Sequence, residues 1–151
     1  MAIERDNPYG TFNFLVDIGT GDTQSIKAGF QEVSGMNIEV TSADYRNGND
    51  KVNHVRKING IYKVGDVTLK RGLIGALDLY QWIDEVRLGV QTARRSVTIQ
   101  LRDETGTSTV MTWKLTNARP MRYTVPAFNA KTGTDVAIEE LVLSCEDLQI
   151  E

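Results

Sequence analysis

Apolar and polar residues alternate along most of this chain. Phe12, Phe14 and Val16 are interleaved with Asn13, Leu15 and Asp17, and Val67 and Leu69 with Thr68 and Lys70. Val97, Ile99 and Leu101 are spaced by Thr98, Gln100 and Arg102, and Met111, Trp113 and Leu115 by Thr112, Lys114 and Thr116. A two-residue period of this kind predicts half-buried β-strands. Ile26 to Val33 and Met36 to Val40, divided by Ser34–Gly35, are two further short strand candidates. Asp103-Glu104-Thr105-Gly106-Thr107 has the composition of a hairpin loop. A last strand is predicted from about Val136 to Glu146. Its apolar phase slips between Ile138 and Leu141, across Glu139 and Glu140, which predicts a β-bulge there.

One segment has a different period. From Leu73 to Leu88, the residues Ala76, Leu79, Tyr80, Ile83 and Val86 recur at helical spacing, with Asp78, Asp84, Glu85 and Arg87 elsewhere. This predicts one α-helix over about 73–88, bounded by Gly72 and Gly89, that plugs one side of the β structure. Trp82 falls off the main stripe and is placed at the edge of the packing or at a subunit contact. No repeat, low-complexity run or linker interrupts the pattern. The expected fold is mainly β, a β-barrel or two packed antiparallel sheets with one helix, in a single domain over residues 1–151. Such a fold leaves sheet edges, and clean alternation with Thr-rich polar faces suits strands that pair onward from subunit to subunit.

Composition adds bounds. A chain of 151 residues buries enough surface to fold without a disulfide or metal, and its one cysteine, Cys145, excludes an internal disulfide. The N-terminal residues lack the apolar core of a signal peptide, and no apolar run is long enough for a membrane-spanning helix. The chain is therefore expected to be made in the cytoplasm and not to insert stably in a membrane.

The inventory of chemical groups is thin. His54 is the only histidine, so a Ser-His-Asp arrangement has no other base to use, and one His with one Cys leaves no usual zinc set. Cys145 sits in apolar phase beside Leu141 and Leu143 and reads as a structural thiol. Asn47-Gly48-Asn49-Asp50 lacks the terminal carboxylates of a calcium loop and reads as a turn. No phosphate loop and no carboxylate dyad is present. The expectation is a protein that is not an enzyme and holds no cofactor or metal.

Charge is more informative. Tyr45 to Gly72 holds seven Lys or Arg against two Asp, about +5, in a chain whose net charge is −3. The last seventeen residues hold six acidic groups and no Lys or Arg. Overall acidity argues against general nucleic-acid binding. Within the basic segment Val52, Val55, Ile58, Ile61 and Val64 recur every three residues, a spacing that fits neither a helix nor a flat strand. It suits a bent hairpin or extended loop pressed onto another surface, either its own barrel or a neighbour.

An ordered set of motifs then becomes recognisable. Asn7-Pro8-Tyr9-Gly10 leads into Phe12-Asn13-Phe14 and Val16; Ala28 to Gly35 reads AGFQEVSG; Tyr45-Arg46-Asn47-Gly48, Lys57-Ile58-Asn59-Gly60 and Val67 to Gly72 follow, with Trp82 in the helix. Together they resemble the inner tail-tube proteins of contractile phages, and still more those of phage-tail-like extracellular contractile injection systems; the type VI secretion tube protein is a more distant relative by fold. The resemblance implies hexameric rings that stack into a hollow tube inside a contractile sheath, driven through a target membrane on contraction, with cargo or DNA carried in the lumen. It implies as partners the chain itself, a sheath protein, baseplate and tube-terminating proteins. Such particles are assembled in the bacterial cytoplasm and end up extracellular, cell-associated or in a virion. It also places an inter-subunit loop at about residues 43–62.

A head-to-tail stack needs one surface to meet a different one on the next copy, and opposite charge sets direction and register. The expected assembly residues are Tyr45, Arg46, Asn47, Lys51, Arg56 and Lys57 on the loop, meeting acidic surface that includes Glu139, Glu140, Glu146 and Asp147. The competing expectations are a phage tail tube conducting DNA and a monomeric β-barrel with a closed ligand pocket.

Overall fold

The computed structural model describes residues 2–131 and 133–151. Seven strands form one antiparallel sheet. They are β1 (Phe14–Asp17), β2 (Phe30–Ser34), β5 (Val67–Gly72), β6 (Arg95–Arg102), β7 (Thr109–Thr124), β8 (Ile138–Ser144) and β9 (Asp147–Ile150). Their order is β1-β6-β7-β8-β5-β2, with β9 also paired to β7. β3 (Ile38–Tyr45) and β4 (Arg56–Val64) pair only with each other. The described residues are mainly β with one α-helix, as the alternation and the helical spacing predict.

β7 joins the two halves of the sheet. Its first part pairs with β6, and Trp113–Thr116 pair with β9; Arg119–Thr124 then pair with β8. A strand that changes neighbours must bend, and the bend falls at Asn117, which adopts φ 52. Asn tolerates that left-handed conformation better than other non-glycine residues. A second irregularity lies between Pro120 and Arg122, where Met121 is the extra residue opposite β8. Proline, with no N–H to give a ladder, is compatible with such a position.

The curled sheet closes around Val16, Val67, Leu69, Val97, Leu115, Leu141 and Leu143, all nearly inaccessible. The helix α1 (Asp78–Arg87) packs on β7. It is shorter than the apolar spacing predicts. Gly75 has φ +81, a left-handed residue that a continuous right-handed helix excludes, so 73–77 form the approach to the helix. The buried face also differs. Leu79 and Trp82 are the buried residues, and Tyr80 is exposed. Trp82 lies inside because its polar atom is satisfied there: the indole N–H donates to Ala93 O at 2.6 Å, and the Arg95 guanidinium covers the ring at 4.7 Å.

The bulge expected across Glu139 and Glu140 is absent. β8 runs in unbroken register with β5 from Val67↔Leu143 to Gly72↔Ile138. Glu139 therefore keeps the inward phase of Leu141 and Leu143, and it lies directly opposite Arg71, itself in the inward phase of Val67 and Leu69. A neutralised pair occupies a place where the apolar pattern alone predicts a distortion. The segment Ile26 to Val33 also divides: Ile26–Ala28 form a 3-10 turn capped by Ser25, and the strand begins at Phe30.

Candidate assembly surface

The region expected as a loop at 43–62 is mostly a long hairpin. β3 and β4 pair from Ile38↔Val64 to Tyr45↔Arg56, and only residues 46–55 form its end loop. The base is fixed by close backbone approach. Gly35, at φ +87, lies where a Cβ would fall 2.3 Å from Asp66 O, and Gly65 N–H donates to Asn37 O at 3.0 Å. Gly35 requires glycine's lack of a side chain, whereas a Cβ at Gly65 would meet only the Asn37 side chain. Tyr62 near the base donates to Asp147 on β9 at 3.2 Å; that hydrogen bond and the nearby carboxylate charge raise the Tyr62 phenol above its ordinary range.

Beyond the base no described residue covers the hairpin's apolar side chains. Val40, Tyr45, Ile58, Ile61 and Tyr62 are all about half exposed or more, Ile61 at 73%. The end loop is ordered by its own polar groups. Arg46 donates to Val52 O and to Asp50 O, both at 3.1 Å; Asn47 N–H donates to Asp50 Oδ2 at 3.0 Å; Tyr45 OH donates to Asn47 Oδ1 at 2.5 Å. Arg56 pairs with Asp50 at 3.2 Å and Lys57 with Asp44 at 2.7 Å. Lys51 has no ion-pair partner among the described residues. His54 is exposed in this loop, its ring nitrogen 3.3 Å from Val55 O.

The expected acidic partners are scattered. Glu139 is 1% exposed and bound to Arg71 inside the protein, so its charge is unavailable to a neighbouring copy; this corrects its place in the assembly set. Arg71, counted in the basic segment, is equally buried and adds nothing to that segment's surface. Glu140 lies 4.0 Å from Arg122. Glu146 pairs with Arg94 at 2.7 Å and accepts from Asn117 at 2.9 Å. Asp147 accepts from Tyr62. Among the described residues, none of Arg46, Lys51, Arg56 and Lys57 pairs with these carboxylates in its own subunit. Glu140, Glu146 and Asp147 remain at the surface or partly exposed.

Around Arg71 a polar core network forms that the sequence reading missed. Arg71 binds Glu139, Asp78 at the start of α1 and Lys27 O. Tyr123 OH donates to Glu139; burial, then that hydrogen bond, push the phenol up to about 12. Burial pushes the Asp78 carboxyl up, but Arg71 outweighs it and holds the group below its ordinary value. The inward phase of Arg71 and Glu139 on two predicted strands was the available signal.

No cluster of three metal-ligating side chains exists among the described residues. No helix among them is long and apolar enough to cross a membrane. Burial raises the Cys145 thiol pKa, which disfavours the reactive thiolate. A cleft of about 370 Å³ lies between the edge strands β1 and β2, lined in part by Phe14, Val33, Met36 and Trp113. It opens past exposed Thr11, Gln31 and Glu32, unlike the closed pocket that a ligand-binding barrel requires.

Among the described residues the fold is mainly antiparallel β, with one α-helix and a long, exposed hairpin. The chain belongs to the family of the T4-like virus tail tube protein gp19, whose model matches residues 10–149. It is similar to a chain in the sheath–tube complex of an extracellular contractile injection system, PVC, in its extended state. That match has 30% identity and a TM-score of 0.82 over 95% of this chain and 91% of that one. A chain in the tube-terminating cap of the anti-feeding prophage matches with 27% identity and a TM-score of 0.80, over 100% of this chain and 95% of that one. Hcp1 from Flavobacterium johnsoniae shares the fold at 12% identity and a TM-score of 0.56, over 92% of this chain and 94% of that one. No curated protein sequence matches.

Proposed function

We propose that this tail tube protein builds the inner tube of an extracellular contractile injection particle. Copies form hexameric rings, rings stack inside a contractile sheath, and contraction drives the tube through a target membrane with cargo in the lumen. The observation that carries this reading is the near full-length similarity to a chain of the PVC sheath–tube complex. Related chains in the anti-feeding prophage cap and baseplate structures support a terminator and a baseplate as further partners. The particle is assembled in the bacterial cytoplasm and acts outside it. The protein is not an enzyme: it serves by shape and self-association.

A phage tail tube conducting DNA is the second reading, favoured by the phage protein that gives the family its name. Negative-stain microscopy of the purified protein tests the common core of both: rings or tubes are expected, and a persistent monomer at high concentration overturns it. Neighbouring genes separate the two. Sheath and baseplate genes with an AAA+ ATPase and no capsid mark an injection system, whereas capsid and terminase genes mark a phage.

A further inference from the structure

Asparagine is followed by glycine at two places in the hairpin. Asn47-Gly48 lies in the end loop, outside any strand, and Asn59-Gly60 lies within β4. Glycine has no Cβ to screen its own amide nitrogen, so in this pair that nitrogen readily reaches the preceding side-chain amide. Such chemistry makes asparagine a thermolabile residue. Exposure does not separate the two pairs, since Asn59 and Gly60 are exposed and Asn47 is half-buried. The backbone does. Closing a five-membered ring at asparagine swings the next nitrogen onto the side-chain carbonyl carbon. Asn59 is held against that rotation: it is paired with Ser42, and a Cβ on Gly60 would lie 2.6 Å from Thr41 Oγ1. Asn47 is held only by the loop's own polar contacts. Its N–H donates to Asp50 Oδ2 at 3.0 Å, and its carbonyl accepts from Asp50 N–H at 3.1 Å. Contacts of that kind open locally while the sheet stays folded. Gly48 is exposed, and a Cβ there would meet no atom within 4 Å. Tyr45 OH donates to Asn47 Oδ1 at 2.5 Å, which draws electron density from the carbon that the nitrogen must attack.

We propose that Asn47-Gly48 is a self-modifying site, where Asn47 loses its side-chain amide in water without an enzyme. The Gly48 nitrogen gives its proton to hydroxide and bonds to Asn47 Cγ. The Cγ–Nδ2 bond then breaks, and the amide nitrogen leaves as ammonia with a proton from water, which restores the hydroxide. A second water opens the cyclic imide at one of its two carbonyl carbons. Opening at Cγ gives aspartate in a normal chain. Opening at the backbone carbonyl carbon gives isoaspartate, whose chain runs on through Cγ. The Gly48 nitrogen regains its proton in both cases. The net change is one water consumed and one ammonia released, with no oxidation or reduction. Either product adds a carboxylate beside Asp50, which already accepts the residue's N–H. Isoaspartate also lengthens the main chain by one carbon. That breaks the turn closed by Asp50 N–H and the 3.1 Å bond from Arg46 to Asp50 O. The loop's charge and shape therefore change with age. This chemistry is independent of the tube reading.

Mass spectrometry of the aged protein tests it. Cleavage after lysine puts the two pairs in different peptides, residues 28–51 and 58–63. The folded wild type is held at neutral and at mildly alkaline pH, then cleaved in heavy-oxygen water, so that deamidation during handling carries a different mass. The expected result is conversion at Asn47 to both aspartate and isoaspartate, faster at the higher pH, with Asn59 intact over the same time. In urea, where β4 no longer holds Asn59, both pairs are expected to react. Gly48 does not occupy the left-handed region, and its site has room for a methyl group. Gly48→Ala is therefore expected to fold like the wild type and to slow the reaction at Asn47 about tenfold by screening the nitrogen. Three results overturn the proposal. They are an intact Asn47 in the folded protein once the urea-treated protein has reacted, equal reaction at Asn59 in the folded protein, and an unchanged rate in Gly48→Ala.

Discussion

Arg71 and Glu139 stand directly opposite each other on β5 and β8, both 1% exposed, with Arg71 Nε 2.7 Å from Glu139 Oε1. The second carboxylate on Arg71, Asp78, comes from the first turn of α1, where a negative charge also complements the helix dipole. One buried guanidinium thus ties two strands of the sheet to the start of the only α-helix among the described residues. Breaking such a pair strands a charge in the core, which costs about 3–5 kcal/mol. Glu139→Ala is expected to lose stability on that scale, towards its lower end because Asp78 still neutralises Arg71. Replacing both members, Arg71→Met with Glu139→Leu, is expected to cost less than Glu139→Ala alone. Urea denaturation of the three variants checks the order.

The Asp78 carboxyl titrates below its ordinary value because Arg71 outweighs the effect of burial. The sign follows directly. Between the folded and the unfolded values the unfolded chain binds more protons, so stability rises with pH in that window. The contribution is fully present above about pH 3.9, the ordinary aspartate value, and is lost as pH falls through the lower, folded value. Asp78→Asn is expected to be less stable than the wild type at neutral pH and to lose less on acidification. Urea midpoints measured from neutral pH down into the acid range check this; parallel curves for the two proteins would show that the Asp78 titration adds nothing to the pH dependence of stability.

Trp82 places its indole N–H 2.6 Å from Ala93 O in a site with no exposure. Trp82→Phe fills most of the volume but leaves that carbonyl without its donor, a cost of about 1–3 kcal/mol. Trp82→Ala adds a cavity and is expected to cost about 3–5 kcal/mol. Thermal unfolding ranks them. If the phenylalanine variant is as stable as the wild type, the hydrogen bond has no net value there.

The β strands and the presence of one helix were legible in the alternation of Val97, Ile99 and Leu101 and in the helical spacing around Leu79, because burial on one face leaves a period in the sequence. The helix start was not, since Gly75 acts through its backbone angle and leaves no mark in hydrophobic spacing. The inward side of β8 was misread for a different reason. A carboxylate in apolar phase looks like a slip unless its partner is known, and Arg71 is far away in sequence, so only the strand pairing reveals the match. The same limit applies to the hairpin. Its repeat of three was visible from Val52 to Val64, yet the placing of Ile58 and Ile61 on one face depends on a register shift between Val40 and Ser42 that exists only once β3 and β4 are paired.

The assembly role expected of Arg56 and Lys57 can be tested through their charge. Arg56 and Lys57 each have a partner in their own hairpin, Asp50 and Asp44. These pairs are exposed, and exposed pairs add little to stability, so the double reversal Arg56→Glu with Lys57→Glu is expected to leave the unfolding transition within about 0.5 kcal/mol of wild type. With the hairpin as the expected contact between copies, it is expected to abolish tube formation, because the charge presented there is then wrong. The reversal also sets like charges beside Asp44 and Asp50, so loss of tubes alone does not separate recognition from hairpin shape. Exchanging the charges of one pair, Asp44→Lys with Lys57→Glu, does separate them, since the local ion pair is retained. If the pair serves only to hold the hairpin, this exchange assembles like the wild type. If Lys57 addresses a neighbouring copy, the exchange still weakens assembly, and the deficit shrinks as added salt screens the mismatch over the ~8 Å range of physiological ionic strength. Tube yield by sedimentation, measured against salt for both variants, decides between the two roles; the second outcome is expected.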